Sequence, residues 1–270
     1  MDKTNERRQF HAWLLDQEKS SNTTASYDYA LKAFFERHDS VDRQAVLDFK
    51  NELLMQGFSP KTVNLRLSGI EAYCKMKGID VQIKHLRAQK SSSVENVISA
   101  DDYQKLLNEL CESEDLRGYW MIKLLAATGA RVSEVIRLQK KDWERGYAEM
   151  WTKGKIRRIY IPGKFRAESA DYYADLSGDD YLIQNRYGKQ MTTRGVASTL
   201  KRYSKRYGIP DEVMHPHSFR HLFAINFLRA TGDLSLLSDL LGHESISTTA
   251  IYTRLTKAEQ LSLVDKAVVW

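Results

Sequence analysis

The chain has few cysteines: Cys74 and Cys111 are the two in 270 residues. They stand at unrelated positions, so they form neither a disulfide framework nor a cysteine metal cluster. The sequence also lacks an unbroken run of 18 apolar residues, which excludes a transmembrane helix. Its first ten residues have no apolar core of the signal-peptide kind. We therefore expect a protein of the reducing cytoplasm.

The composition is that of a globular protein, with 42% hydrophobic and 28% charged residues and a modest net charge of +6. The positive charge concentrates in two stretches without an acidic residue. The first contains Lys153, Lys155, Arg157, Arg158, Lys164 and Arg166, and the second contains Arg186, Lys189, Arg194, Lys201, Arg202, Lys205 and Arg206. Such stretches are typical of a surface that faces a polyanion, although solvated helix and hairpin faces explain the charge equally well.

The pattern of apolar residues predicts a mainly α protein with two domains. Residues 1–86 show the 3–4 spacing of four short helices, and the polar, serine-rich stretch 87–98 is typical of a linker. Residues 99–270 are mostly helical in pattern. Within them, 140–162 is rich in β-branched and aromatic residues between turn signals, which predicts a small three-stranded antiparallel sheet.

Three stretches carry candidate functional residues. The first is "ATGARVSEVIRL", in which Gly129 permits a break and Arg131 opens the following helix, with Glu134 one turn later. An arginine at a helix start can direct its planar donor group at an anionic oxygen. Taken alone, a surface ion pair between Arg131 and Glu134 explains this pattern better.

The second stretch is "HPHSFRHLFAINFL", where a proline starts a helix and His217 and Arg220 share one face. This pair offers a proton-transfer group beside a phosphate-binding group. Two alternatives are a polar helix start that caps itself and a zinc site. The zinc ligands would be His217, His221 and His243, but the stretch lacks the glutamate of an HExxH motif and a nearby cysteine.

The third stretch is "LLGHESISTTAIYTRLT", which predicts a helix, a turn at Gly242 and a second helix from Ser245 or Ser247. The same pattern fits helix-turn-helix DNA-binding proteins. Tyr252 stands nine residues after His243. A tyrosine within a helix is ordinarily a core side chain, so the stretch alone does not indicate a nucleophile.

Taken together and in order, these stretches resemble the tyrosine recombinases, the phage integrase family, of the two-domain Xer-like type. "TGARVSE" is similar to the first arginine motif of the family, "TKGKIRRIYIP" to its lysine hairpin, "HSFRH" to its His-x-x-Arg box, and "LGHESISTTAIYT" to its closing His and Tyr motif. The resemblance covers about residues 99–256. The preceding helices fit the core-binding domain of the family by size and helix number.

The resemblance implies a site-specific recombinase without a cofactor or metal. Tyr252 would attack a DNA phosphate and form a 3′-phosphotyrosyl intermediate. Arg131 and Arg220 would bind the phosphate oxygens, with His243 as a further phosphate ligand and Glu134 in support. Lys153 would protonate the leaving 5′-oxygen and His217 would handle the tyrosine proton. Lys155 is an alternative for the lysine because it lies two residues further along the hairpin.

The resemblance also implies double-stranded DNA as the partner of a cytoplasmic, nucleoid-associated protein. The expected DNA contacts are Lys155, Arg157, Arg158, Lys164, Arg166, Lys201, Arg202, Lys205 and Arg206. We expect a monomer in solution and a homotetramer on paired sites, with the helix 258–270 exchanged between protomers. The alternatives are a type IB topoisomerase-like nicking-closing enzyme and a non-catalytic helix-turn-helix regulator. The biological task would be integration or excision of a mobile element, or Xer-like resolution.

Overall fold

The computed structural model describes residues 2–87, 96–152, 155–243 and 245–253, together with Asp265 and Val268. Its contacts divide the chain into two compact units, Met1–Lys90 and Ser91–Trp270. The described residues are mainly helical with one small antiparallel sheet, which confirms the predicted fold class in outline. Within these ranges, none of the helices combines the length and the apolar character that crossing a membrane requires.

Unit 1 consists of four helices with polar caps. They are α1 (Lys3–Asp16), α2 (Ser21–Phe35), α3 (Arg43–Met55) and α4 (Pro60–Lys77). The start of α4 is the one that the sequence predicts: Ser59 accepts a hydrogen bond from the backbone N–H of Thr62, and Pro60 occupies the first turn. The fully buried side chains of Phe10, Phe34 and Phe49 lie in the core between these helices.

Unit 2 contains the remaining elements. They are α5 (Ala100–Glu112), α6 (Leu116–Thr128), α7 (Val132–Val135), α8 (Lys140–Arg145), β1 (Tyr147–Thr152), β2 (Lys155–Tyr160), α9 (Gly163–Glu168), α10 (Thr193–Tyr207), α11 (Pro216–Thr231), α12 (Leu234–Leu241), α13 (Ile246–Thr249) and a 3₁₀ helix (Ala250–Thr253). Ser99, three residues before Asp102, caps α5 by accepting from the backbone N–H of Asp102. The long helix α11 packs against α6 and the 3₁₀ helix, so it links the parts of the chain that carry the three motifs.

Among the described residues the sheet has two strands, so the three strands that the sequence predicted are not confirmed. Strands β1 and β2 pair antiparallel, with Met150 opposite Arg157. The stretch taken for the first strand is α8, because the carboxylate of Asp142 accepts the N–H of Gln139 and so caps a helix start. Gly146 ends this helix in the left-handed conformation. Local capping therefore makes this stretch a helix, although residues 140–162 as a whole are rich in aromatic and β-branched side chains.

Candidate active site

Arg131 stands at the start of α7, immediately after a break that requires glycine. Gly129 has a φ of +57°, and a Cβ atom there would lie 2.2 Å from the ring of Phe223. The carboxylate of Glu134 accepts the backbone N–H of Arg131 at 2.8 Å and its guanidinium at 3.2 Å. The ion pair that the sequence suggested is therefore present, and it fixes the direction of the arginine.

Arg220 lies on α11 and is 3% exposed. Its guanidinium donates to the carbonyl oxygen of Gly129 at 2.7 Å and to that of Leu241 at 2.6 Å. Burial, followed by the positive charges of Arg131 and Arg157, lowers the pKa of Arg220 to about 10. The side chain therefore remains charged at neutral pH, in a place where an anion would stabilise it.

Three arginines converge on the C-terminal end of α12. The carbonyl of Leu240 accepts from Arg157, that of Leu241 from Arg220, and that of Gly242 from Arg131. The last carbonyls of a helix lack partners within the helix and carry its negative partial charge. This helix end therefore brings together cationic side chains from three separate stretches of the sequence.

His243 follows directly and joins the same cluster. Its Nε2 atom lies 3.1 Å from a guanidinium nitrogen of Arg220, and its Nδ1 atom lies 2.8 Å from the hydroxyl of Thr249. Because the arginine can only donate, Nε2 accepts and Nδ1 carries the proton. Burial, then the charges of Arg220 and Arg131, lowers the pKa of His243 to about 4, so the ring is neutral at neutral pH.

Tyr252 lies in the 3₁₀ helix after α13, which Ser245 caps; Ser245 is one of the two helix starts that the sequence predicted. Its side chain is 6% exposed, and its hydroxyl lies 2.7 Å from Nδ1 of His221. His217 stands one turn before His221 on α11, with 6.3 Å between the two ring centres, and it is exposed. Tyr252 is thus both a buried aromatic residue and a hydrogen-bonded partner of His221.

Glu134 connects the first motif to the hairpin. Its carboxylate, 3% exposed at the residue level, accepts from Arg157 at 2.5 and 2.7 Å. Burial would raise the pKa of Glu134, but the charge of Arg157 and the backbone N–H of Arg131 hold it below the ordinary value. Close packing continues at Gly242, where a Cβ would lie 2.5 Å from Cδ of Arg157.

The predicted DNA-contact residues separate into two groups. Arg157 is buried and bound within the protein, which removes it from the surface because Glu134 and Leu240 occupy its donors. Arg166 is half-buried and donates to the carbonyl of Glu144. The exposed members with described side chains are Arg158, Lys164, Lys201, Arg202, Lys205 and Arg206. Lys153 lies outside the described residues, and Lys155 is described by its backbone, as the first residue of β2.

The histidines of the zinc alternative have other partners. His221 is bonded to Tyr252, and His243 to Arg220 and Thr249. In the part of the chain that the structure describes, no group of three or more His, Cys, Asp or Glu side chains has the geometry of a metal site.

Comparison with known proteins decides the family. Residues 96–259 match the profile of the Phage integrase family. Over 268 residues the chain is 31% identical to tyrosine recombinase XerA of Pyrococcus furiosus, which covers 96% of this chain and 92% of that protein. The chain belongs to the phage integrase family. The resemblance drawn from the four motifs is therefore confirmed.

Other members of the family show the extent of the similarity. Tyrosine recombinase XerD of Oceanobacillus iheyensis is 29% identical over 276 residues, covering 92% of this chain and 93% of that protein. The crystal structure of a lambda integrase dimer bound to a COC′ core site has a TM-score of 0.73 at 18% identity, covering 92% of this chain and 76% of that one. The second likeness shows that the fold is shared.

Sequence reasoning missed two side chains of this cluster. Arg157 was assigned to the DNA surface, yet it shares its strand face with Ile159 and Ile161, whose apolar alternation indicates the buried side. From the sequence, His221 was considered as a ligand of the alternative zinc site. Its position one turn after His217 and beside Arg220 places it on α11, but its contact with Tyr252 depends on the tertiary fold.

Proposed function

We propose that this chain is a site-specific DNA recombinase that cleaves and rejoins strands with Tyr252 as the nucleophile. Family membership and the tyrosine recombinases among its relatives support this activity. The observation that carries the residue assignment is the convergence of Arg131, Arg220 and His243 on the end of α12. The two guanidiniums and the imidazole form a group suited to an oxyanion.

In the cleavage step, the oxygen of Tyr252 attacks a phosphorus atom of the DNA backbone and displaces the 5′-oxygen. The phenol loses its proton to His217, and the departing oxygen gains one from Lys153, with Lys155 as the alternative donor. The product is a 3′-phosphotyrosyl bond and a free 5′-hydroxyl. This bond stores the energy of the broken linkage, so rejoining by another 5′-hydroxyl needs no nucleotide cofactor.

Arg131 and Arg220 would bind the two non-bridging oxygens, on which negative charge increases in the transition state. To donate a further hydrogen bond to these oxygens, which can only accept, His243 would carry its proton on Nε2 instead of on Nδ1 as in the free chain. Glu134 acts by holding Arg131 in place. We expect no metal ion to be needed because guanidiniums supply the positive charge that Mg²⁺ supplies in other phosphoryl-transfer sites.

We propose double-stranded DNA as the substrate, held by the exposed basic residues of α9 and α10 and by unit 1 as a core-binding domain. Helix α10 shows Lys201, Arg202, Lys205 and Arg206 to solvent. Its opposite side is anchored by the buried side chains of Tyr203 and Tyr207, so the basic side is available to a polyanion. Because DNA is the proposed substrate, we also propose that the protein is located in the cytoplasm, in association with the nucleoid.

We further propose that the chain is a monomer when free and a tetramer on paired sites, as required to exchange strands between two duplexes. The exchanged element would be the helix 258–270. Apart from Asp265 and Val268, this segment lies outside the described residues. The proposed task remains integration or excision of a mobile element, or Xer-like resolution.

Covalent trapping tests the activity. The chain is incubated with nicked suicide duplexes taken from the DNA that flanks its gene and from a randomised library, and adducts are separated under denaturing conditions. We expect adducts from the wild type and none from Tyr252→Phe, which lacks the attacking oxygen. Binding without any adduct from the wild type would favour a non-catalytic regulator. Strand exchange between two labelled duplexes then separates a recombinase from a topoisomerase-like enzyme.

A further inference from the structure

The hydroxyl group of Tyr252 has a specific partner that the proposed reaction does not yet use. Its oxygen lies 2.7 Å from Nδ1 of His221, and the two ring centres are 5.5 Å apart. The distance of 2.7 Å between the phenolic oxygen and Nδ1 is typical of a strong hydrogen bond between neutral groups. The contact joins α11 to the 3₁₀ helix across 31 residues of sequence.

Burial makes the hydroxyl group of Tyr252 depend on this contact. The side chain of Tyr252 lies in an apolar cluster with Ala224, Leu237 and Leu241, and it is 6% exposed. A phenolic hydroxyl in such surroundings needs a protein partner because little water reaches it. His221 is the residue that supplies the partner, so it determines the direction of the O–H bond.

The charge states of the two groups define who donates. Burial raises the pKa of Tyr252 against the opposing effect of Arg220, so the phenol keeps its proton. Burial, followed by the neighbouring charges of His217, His215, Arg220 and His243, lowers the pKa of His221 to about 4. At neutral pH the phenol therefore donates and Nδ1 accepts, which places the imidazole proton on Nε2.

We propose that His221 is a positioning residue for the nucleophile: through its Nδ1 atom it accepts the hydrogen bond of Tyr252 and sets where the attacking oxygen lies. This inference rests on the proposed role of Tyr252 in DNA cleavage. His221 orients the phenol in the free chain, and the O–H must turn away from Nδ1 of His221 before His217, one turn away at the exposed start of α11, takes the proton. The two histidines of one helix face thus have separate tasks.

Two substitutions separate orientation from proton transfer. His221→Asn retains an oxygen acceptor close to the place of Nδ1 but cannot take up a proton, and His221→Leu removes the acceptor at similar size. His217→Asn is the reciprocal variant, because an amide cannot replace a proton acceptor. The readout is the single-turnover rate of adduct formation on saturating suicide DNA, with DNA affinity and unfolding measured in parallel.

We expect His221→Asn to retain most of the wild-type rate and His221→Leu to lose about 100-fold, since misplacement of a reacting atom by about 1 Å has such an effect. DNA affinity should be unchanged in both, and His217→Asn should be slow. A His221→Leu variant that cleaves at the wild-type rate overturns the proposal. So does a His221→Asn variant as slow as the leucine one, which would indicate a proton acceptor. If His221→Leu unfolds, His221→Gln replaces it, because its amide reaches past the Nδ1 position.

A measurement without DNA separates this inference from the proposed function. In the free chain, the ¹⁵N shift of His221 should show an unprotonated Nδ1 that accepts a hydrogen bond, and Tyr252→Phe should move it towards the value of a free acceptor. An unmoved shift overturns the contact itself. If the shift moves but the wild type gives no adduct, the proposed function fails, and the positioning role fails with it.

Discussion

Arg157 donates to both carboxylate oxygens of Glu134, at 2.5 and 2.7 Å, and both side chains are nearly enclosed by protein. The same guanidinium reaches the carbonyl of Leu240 at the end of α12. One buried arginine therefore joins the hairpin, the first arginine motif and the helix end on which the other cations converge. The position of Arg131 depends on this pair because Glu134 also binds Arg131.

Removal of one partner should be costly. Arg157→Ala leaves the carboxylate of Glu134 buried without its main counter-charge, and such a change costs about 3–5 kcal/mol. The matched control is Arg158→Ala, the next residue of β2, whose ion pair with Glu149 is exposed to solvent and therefore contributes little to stability. Equilibrium urea unfolding measures both. Equal losses in the two variants would contradict the role given to the buried pair.

Gly242 is expected to be irreplaceable for two separable reasons. It has a φ of +62°, and an added Cβ would lie 2.5 Å from Arg157. Gly208 has nearly the same φ, +63°, but free space around it. Gly208→Ala therefore reports the backbone strain alone, about 1 kcal/mol, and Gly242→Ala should cost clearly more and also slow cleavage. Similar unfolding free energies for both variants would show that Arg157 yields without penalty.

Much of this arrangement could be predicted from the sequence where the signal is local. Ser59, which a proline follows, and Ser99, which stands three residues before Asp102, cap helices as these local patterns predict, and Gly129 breaks the chain before Arg131. The order of the motifs predicts which residues meet, since the family resemblance carries information about tertiary contacts. Spacing alone does not carry that information.

The parts that could not be predicted are those that distant contacts decide. Alternation with Ile159 assigns Arg157 to the buried face of β2, but its partners there depend on the packing of α12 against that strand, and nothing in the hairpin sequence specifies that neighbour. The hydrogen bond between His221 and Tyr252 spans two helices for the same reason. The missing third strand has a different origin, because the Gln139 and Asp142 capping interaction is a weak signal beside an aromatic-rich segment.

Acid should destabilise the chain through its neutral histidines. His221 and His243 each have a pKa of about 4 in the folded chain, against 6.5 for a free histidine. Below pH 6.5 the unfolded chain binds more protons than the folded chain. The two histidines therefore leave the free energy of unfolding unchanged above that pH and lower it as the pH falls towards 4. Urea unfolding at constant ionic strength measures this loss of stability, over a range from about pH 7.5 to about pH 4 that includes the histidine pKa values of the unfolded and the folded chain.

The variant His243→Asn isolates one contribution to this acid sensitivity. Its unfolding free energy should vary less with pH than that of the wild type, whatever its absolute stability. His11→Asn, a change at an exposed residue of α1, is the control for the substitution itself. A His243→Asn variant with the full wild-type dependence would show that this imidazole is not held neutral.

The basic side of α10 should control non-specific DNA affinity. Arg202 and Arg206 are exposed on this helix, each over the ring of a buried neighbouring tyrosine. If each contacts one phosphate, the double alanine variant should weaken binding to a random duplex and lower the slope of log Kd against log salt by about two. Lys141→Ala is the control, because Lys141 is exposed but paired with Asp179. Fluorescence anisotropy across a salt series gives the slopes, and an unchanged slope in the double variant would remove α10 from the DNA surface.

The hairpin lysine can be identified by chemistry. Strand β2 begins at Lys155, two positions before the buried Arg157. The motif order instead favours Lys153. We expect Lys153→Ala to lose about 10²–10⁴-fold in cleavage rate, as for removal of a general acid, and Lys155→Ala mainly to weaken DNA binding.

A modified substrate decides between the two lysines. A 5′-phosphorothiolate leaves as a thiolate, which needs no proton, so it should restore cleavage to the variant that lacks the general acid and have little effect on a variant that lacks a binding contact. Rescue of Lys153→Ala supports the assignment. Rescue of Lys155→Ala, with Lys153→Ala cleaving the ordinary substrate normally, would transfer the role to Lys155.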